Sequence, residues 1–188
     1  IIVVLFALFS GVNSLVELKK RAIFFKKNVL KILIILIAAF FIWIPQLIYW
    51  KLSSDSYLFY SYTEEGFFFS DPQILNSLFS FRKGWLLYTP LMGFSLIGFV
   101  IMFKESNRNF FSILFTVGLY FYVASCWWDW WFGGSFGYRT MIEMIPLLAF
   151  GLASFILQLF KKLKGYKIPI LTLMFLLLCF NLFQTRQA

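Results

Sequence analysis

Residues 32–50 read ILIILIAAFFIWIPQLIYW, and no charge interrupts them. At 1.5 Å per residue, a helix of about 20 residues crosses the roughly 30 Å of bilayer hydrocarbon. Pro45 predicts a kink near one end, and Tyr49 and Trp50 suit the headgroup layer. Four more apolar runs, at roughly 85–103, 110–127, 141–160 and 168–184, meet the same rule within the uncertainty of their ends, and a sixth, 1–16, is short as a cut helix would be. The predicted fold class is therefore an all-α integral membrane protein with about six transmembrane helices.

Composition agrees. The chain is 61% hydrophobic and 13% charged, against about 25% charged in soluble domains. A net charge of +9 raises nucleic-acid binding, but the basic residues cluster between apolar runs as topology signals do, and no nucleic-acid role is expected. There is no histidine, which leaves acid–base chemistry to carboxylates. Cys126 and Cys179 both lie in apolar runs and read as small buried hydrophobes. No metal and no cofactor is indicated.

Six basic residues (Lys19, Lys20, Arg21, Lys26, Lys27, Lys31) lie between runs one and two. Lys104 and Arg108 lie between runs three and four, and Lys161, Lys162, Lys164 and Lys167 between five and six. These alternate loops are cytoplasmic by the positive-inside rule. Segments 51–84 and 128–140 then face outward. The stretch 17–31 reads either as a surface-lying amphipathic helix or as a topology anchor. The chain opens on Ile1 without a methionine, so an N-terminal part is expected to be missing.

In segment 51–84, Asp71 and Pro72 read as N-cap and first-turn residues. They predict a short interfacial helix with Ile74, Leu75, Leu78 and Phe79 on one face. Glu64 and Glu65 are either a catalytic, ligand-binding or metal-binding pair or a solvated one. Arg82 and Lys83 suit lipid phosphate or simple headgroup anchoring. Runs three and four carry small residues that allow close helix contact and no internal charge, which argues against an ion pathway.

The richest stretch is 127–143, WWDWWFGGSFGYRTMIE. A helix entered here presents unpaired N–H groups and partial positive charge. Gly133, Gly134 and Gly137 admit close backbone approach, and Arg139 matches phosphate oxygens. Together they predict an anion site at the outer headgroup level. Glu143, four residues after Arg139, is expected on the same helical face, as an ion-pair partner or a candidate in proton transfer. Trp128 and Trp131 read as interfacial belt or as sugar-stacking surfaces, with Tyr138 beside them. Asp129 would bind a hydroxyl or a cation, or cap the loop.

WWDWWFGGSFGYR, followed by an apolar helix with Pro146, resembles the W-x-GG-x-x-x-G-x-R…P signature of bacterial GT-C type glycosyltransferases. These polytopic enzymes are related to protein O-mannosyltransferases and lipid A sugar transferases. KGWLLYTPLMGFSLIGF at 83–99 resembles the G-L-x-x-Y-S/T-P-L segment preceding that signature, in the version seen in Bacteroidetes membrane proteins. The two cover about half of the chain. The resemblance implies sugar transfer from a polyprenyl-phosphate donor to a lipid or glycan acceptor, on the periplasmic side of a bacterial inner membrane. Arg139, Gly133, Gly134, Gly137, Arg82 and Lys83 would then hold the donor phosphate. Trp128, Asp129, Trp131, Tyr138, Glu64 and Glu65 would serve sugar or acceptor. Such families carry their essential acid in the first outer loop, which no position here matches, so the catalytic base is expected in the missing N-terminal part. The competing readings are a transporter or flippase for a lipid-linked glycan and a non-catalytic scaffold.

Overall fold

The computed structural model describes residues 6, 9–12, 14–59, 65–134, 136–162 and 164–187, and among them every regular element is a helix. Two compact units are distinguished. One is Asn13–Gly66; the other joins Ile1–Val12 to Phe67–Ala188.

The unit Asn13–Gly66 contains α1 (Leu15–Lys27) and α2 (Val29–Ser54). The Ser14 hydroxyl caps α1 by accepting the Glu17 N–H at 3.3 Å. Asn28 closes the helix through its N–H to the Phe24 and Phe25 carbonyls, and α2 starts at once. The 17–31 segment therefore forms a separate helix ahead of the apolar one. α2 runs 26 residues, about 39 Å at the α-helical rise, and contains Pro45. It stops at Asp55 in the left-handed region (φ 57°), whose carboxylate meets the Lys51 ammonium at 2.5 Å. Neither helix buries a residue.

The larger unit holds the short α3 (Ile74–Phe79) and α4 (Trp85–Tyr88), then α5 (Met92–Lys104) and α6 (Phe110–Ser125). After a loop come a 3-10 helix (Arg139–Met144), α7 (Ile145–Lys162), a 3-10 turn (Lys164–Tyr166) and α8 (Lys167–Gln187). Among the described residues, three helices are long and apolar enough to cross a membrane: Val29–Ser54, Arg139–Lys162 and Lys167–Gln187. α5 and α6, with 13 and 16 residues, span about 20 and 24 Å. The run 85–103, expected as one helix, is two. Pro90 lacks an N–H and disfavours helical backbone at the preceding residue, and Thr89 leaves the helix at φ −133°. Half of the first run, 1–16, lies outside the described residues, and Leu15 and Val16 belong to α1.

The core forms where α5 and α7 touch. Ser95 Oγ donates to the Leu148 carbonyl, and one turn on, Gly98 meets Gly151. Both contacts advance three residues along each helix, so α5 and α7 run parallel, with Lys104 and Lys161–Lys162 at the same end. A Cβ on Gly98 would lie 1.7 Å from the Gly151 carbonyl oxygen. Only glycine lets the two backbones come this close. Phe99, Met102, Ile113, Met144 and Leu148 fill the space around the crossing.

The short helix expected in segment 51–84 is α3, but it begins at Ile74 with Gln73 rather than Asp71 as N-cap. The reason is local. The Asp71 N–H donates to Phe68 O within a turn, and the Gln73 N–H is drawn to Ser125 O at the end of α6. Of the predicted apolar face of α3, Ile74, Leu75 and Phe79 are exposed (Leu75 73%), whereas Leu78 packs on the core beside the fully buried Ser77.

Candidate functional site

Two loops meet beyond the common end of α4 and the 3-10 helix. The first is the turn Ser80–Gly84, closed by the Gly84 N–H to Ser80 O bond at 2.7 Å. The Tyr88 hydroxyl ties it down by donating to Phe81 O at 2.7 Å. A side chain on Gly84 would collide with the Ser80 backbone at 2.6 Å. This tight turn pushes Arg82 and Lys83 outward.

The second loop is 127–138. Its turn is closed by the Phe132 N–H to Asp129 O bond at 2.8 Å. Phe132 and Gly133 then both take positive φ, 54° and 65°. Gly133 does so freely, whereas a phenylalanine there is strained.

Arg82 lays its guanidinium 3.4 Å from the centre of the Trp131 ring, a cation–π contact. The Lys83 ammonium donates to Gly133 O at 2.5 Å. Partial burial lowers the Lys83 pKa; the Arg139 and Arg82 charges lower it further, while Asp129 opposes them. Arg82 and Lys83 thus stand beside Trp131 and the glycine turn, with the Arg139 and Asp129 charges near enough to act on Lys83. Asp129 is the counter-charge, and its Oδ1 is buried without a partner.

Several predicted residues stand elsewhere. Gly137 is buried, and a Cβ there would press on the Tyr88 side chain at 3.1 Å, so it serves packing. Gly134 is exposed with open space around it. Trp128 is 42% exposed, while Tyr138 is 4% exposed, its ring packed on Phe121 and Phe132. Burial raises the Tyr138 pKa, and the nearby Ser77 and Thr140 hydroxyls pull it partly back. Glu64 lies outside the described residues, and the half-buried Glu65 belongs to the other unit.

The expected Arg139–Glu143 pair does not form. Residues 139–144 wind as a 3-10 helix, which eclipses i with i+3 and turns i+4 about a third of a circle away. Glu143 instead accepts from the Tyr120 hydroxyl at 3.3 Å. The same winding bears on the expected anion site, because the Arg139 and Met141 amides already donate to Gly137 and Tyr138. The positive character here comes from side chains more than from a free helix end. Among the described residues, no cluster of three or more acids and cysteines is arranged to hold a metal.

What sequence reasoning missed is the strap Phe67–Gln73 across the end of α6. Phe68 N–H donates to Cys126 O at 2.6 Å, the Tyr122 hydroxyl donates to Phe69 O at 2.7 Å, and the Phe67 ring meets Trp127 edge-on at 4.7 Å. The three consecutive phenylalanines were its one visible signal. The chain matches no model of a known protein family, no curated protein and no solved structure.

Proposed function

We propose that this chain holds the lipid-linked donor in a glycosyltransferase reaction at the outer face of a bacterial inner membrane. A sugar would pass from a polyprenyl phosphate to a lipid or glycan acceptor. The observation that carries this reading is the pair Arg82 and Lys83 held on Trp131 and Gly133, about fifty residues on, with the Arg139 charge close enough to act on Lys83. Clustered cations repel one another, and a phosphate relieves that repulsion while accepting charge-assisted hydrogen bonds.

The parallel α5 and α7 support the orientation. The loops carrying these cations enter the two helices at one end, and Lys104, Lys161 and Lys162 leave at the other, which the positive-inside rule assigns to the cytoplasm. In this reading the shorter α5 and α6 also cross, with local bilayer thinning making up the length.

The test is sugar transfer from a polyprenyl-phosphate donor by membranes carrying Arg139→Ala. Transfer is expected to fall about tenfold or more, as loss of a charged hydrogen bond predicts. Unchanged turnover with normal insertion removes the proposal.

A further inference from the structure

α1 is held by its own ends. The Ser14 hydroxyl accepts the Glu17 N–H at the start, and the Asn28 side-chain amide donates to Phe24 O at 2.8 Å at the finish. None of its 13 residues is buried. Helices shorter than about 12–15 residues are marginal in water when nothing packs on them, and Val16, Ile23, Phe24 and Phe25 are not strong helix formers. A surface outside the helix has to steady it.

The side chains say what that surface is. At 3.6 residues per turn, Lys19, Lys20, Lys26 and Lys27 fall within an arc of about 120°. All four are exposed, as is Lys31 at the start of α2. Leu15, Leu18, Ala22 and Phe25 form an apolar stripe directly alongside the arc, and Leu15 is 77% exposed. Val16 and Ile23 stand among the lysines, whose aliphatic stems can run with them toward hydrocarbon while the ammonium groups stay wet. Six basic residues between Ser14 and Ile32 face one acid, Glu17.

Three partners compete for such a helix. Nucleic acid would answer the charge and leave the apolar stripe in water. An acidic protein would answer both, but α1 joins α2 at Asn28 without a linker, and α2 is long and apolar enough to cross a membrane. The bilayer is therefore the surface within reach, and the covalent joint holds α1 beside it at high effective concentration.

We infer that α1 lies in the headgroup layer of the membrane that α2 crosses and binds anionic phospholipid there. Lys19, Lys20, Lys26 and Lys27 meet the lipid phosphates, and Leu15, Leu18, Ala22 and Phe25 enter the acyl boundary. Each basic residue near an anionic surface strengthens attachment about fivefold. The inference is independent of the sugar-transfer reading.

The test is hydrogen exchange on the full chain in nanodiscs, made of phosphatidylcholine alone or mixed with phosphatidylglycerol. A ligand that binds the ordered helix protects it, so α1 amides should exchange about tenfold or more slowly with phosphatidylglycerol present, and α2 amides should not change. Raising salt from about 0.1 M to about 0.5 M roughly halves a screening length of about 10 Å and should erase most of the difference. Lys19→Gln, Lys20→Gln, Lys26→Gln and Lys27→Gln together should abolish it, and arginine at the same four positions should keep it. Lys161→Gln with Lys162→Gln takes charge from another segment and should leave it intact. Equal protection of α1 in both discs, a lipid effect that salt does not touch, or one that survives the four glutamines would each overturn the inference.

Discussion

α2 and α7 are both apolar and both long enough to cross a bilayer, but they are built for different neighbours. In the most apolar window of α2 no residue is buried, whereas a third of the corresponding window of Arg139–Lys162 is. α2 carries large aliphatic side chains all round, with Ile35 and Ile42 well exposed, and a lipid surface accepts these without selection. α7 instead places Leu148 and Gly151 against α5, where backbone approaches backbone and shape decides. Hydropathy makes the two helices look alike; only the small residues distinguish the one that positions the loops above it.

That contrast breaks most sharply at Gly98. Gly98→Val drives a side chain into the Gly151 carbonyl and should cost at least the roughly 1–3 kcal/mol of overpacking, read as a lower melting temperature in nanodiscs. Gly93→Ala, with nothing within 4 Å of the added methyl, is the matched control and should melt like the wild type. Ser95→Ala leaves the Leu148 carbonyl without its side-chain donor, and about 1 kcal/mol of stability should go with it.

Above the helix pair, Trp131→Ala removes the surface on which Arg82 lies. A cation–π contact of about 0.5–1 kcal/mol predicts roughly threefold weaker phosphate binding, with Trp131→Phe recovering part of it. Lys83 gives a subtler effect. Its pKa is lowered from 10.5, so phosphate binding should decline with rising pH before a free lysine would lose its charge. Because the unfolded chain binds this proton more tightly, Lys83 itself makes stability rise with pH between its lowered value and 10.5. Arg139→Gln removes one of the lowering charges and should move the Lys83 titration upward, followed by NMR of methylated lysine. The smallest effect belongs to α2, where Ile37→Ala should change stability by less than about 0.5 kcal/mol.

The long helices and the glycine–arginine loop were legible because composition and spacing are local. Pro90 was visible too, but an uninterrupted apolar run hides a break that only the backbone expresses. The Arg139–Glu143 pair failed because the i,i+4 rule presumes α-helical winding, and these residues enter their helix through a tighter one. Arg82 and Lys83 entered the candidate site on charge and topology; the stacking on Trp131 and the bond to Gly133 needed three dimensions. The strap over the end of α6 left only its three phenylalanines as a signal, since it depends on Phe67 crossing to Trp127, sixty residues on.

The central claim, a phosphate seat made by Arg82, Lys83 and Arg139, is tested most directly by comparing a polyprenyl phosphate with the uncharged polyprenol of equal length. Binding to the protein in nanodiscs would be measured for wild type and Arg139→Gln. The account predicts that wild type prefers the phosphate by about tenfold or more, as a charge-assisted contact implies, and that Arg139→Gln loses most of this preference. Equal affinity for alcohol and phosphate, or a preference untouched by the substitution, would contradict it.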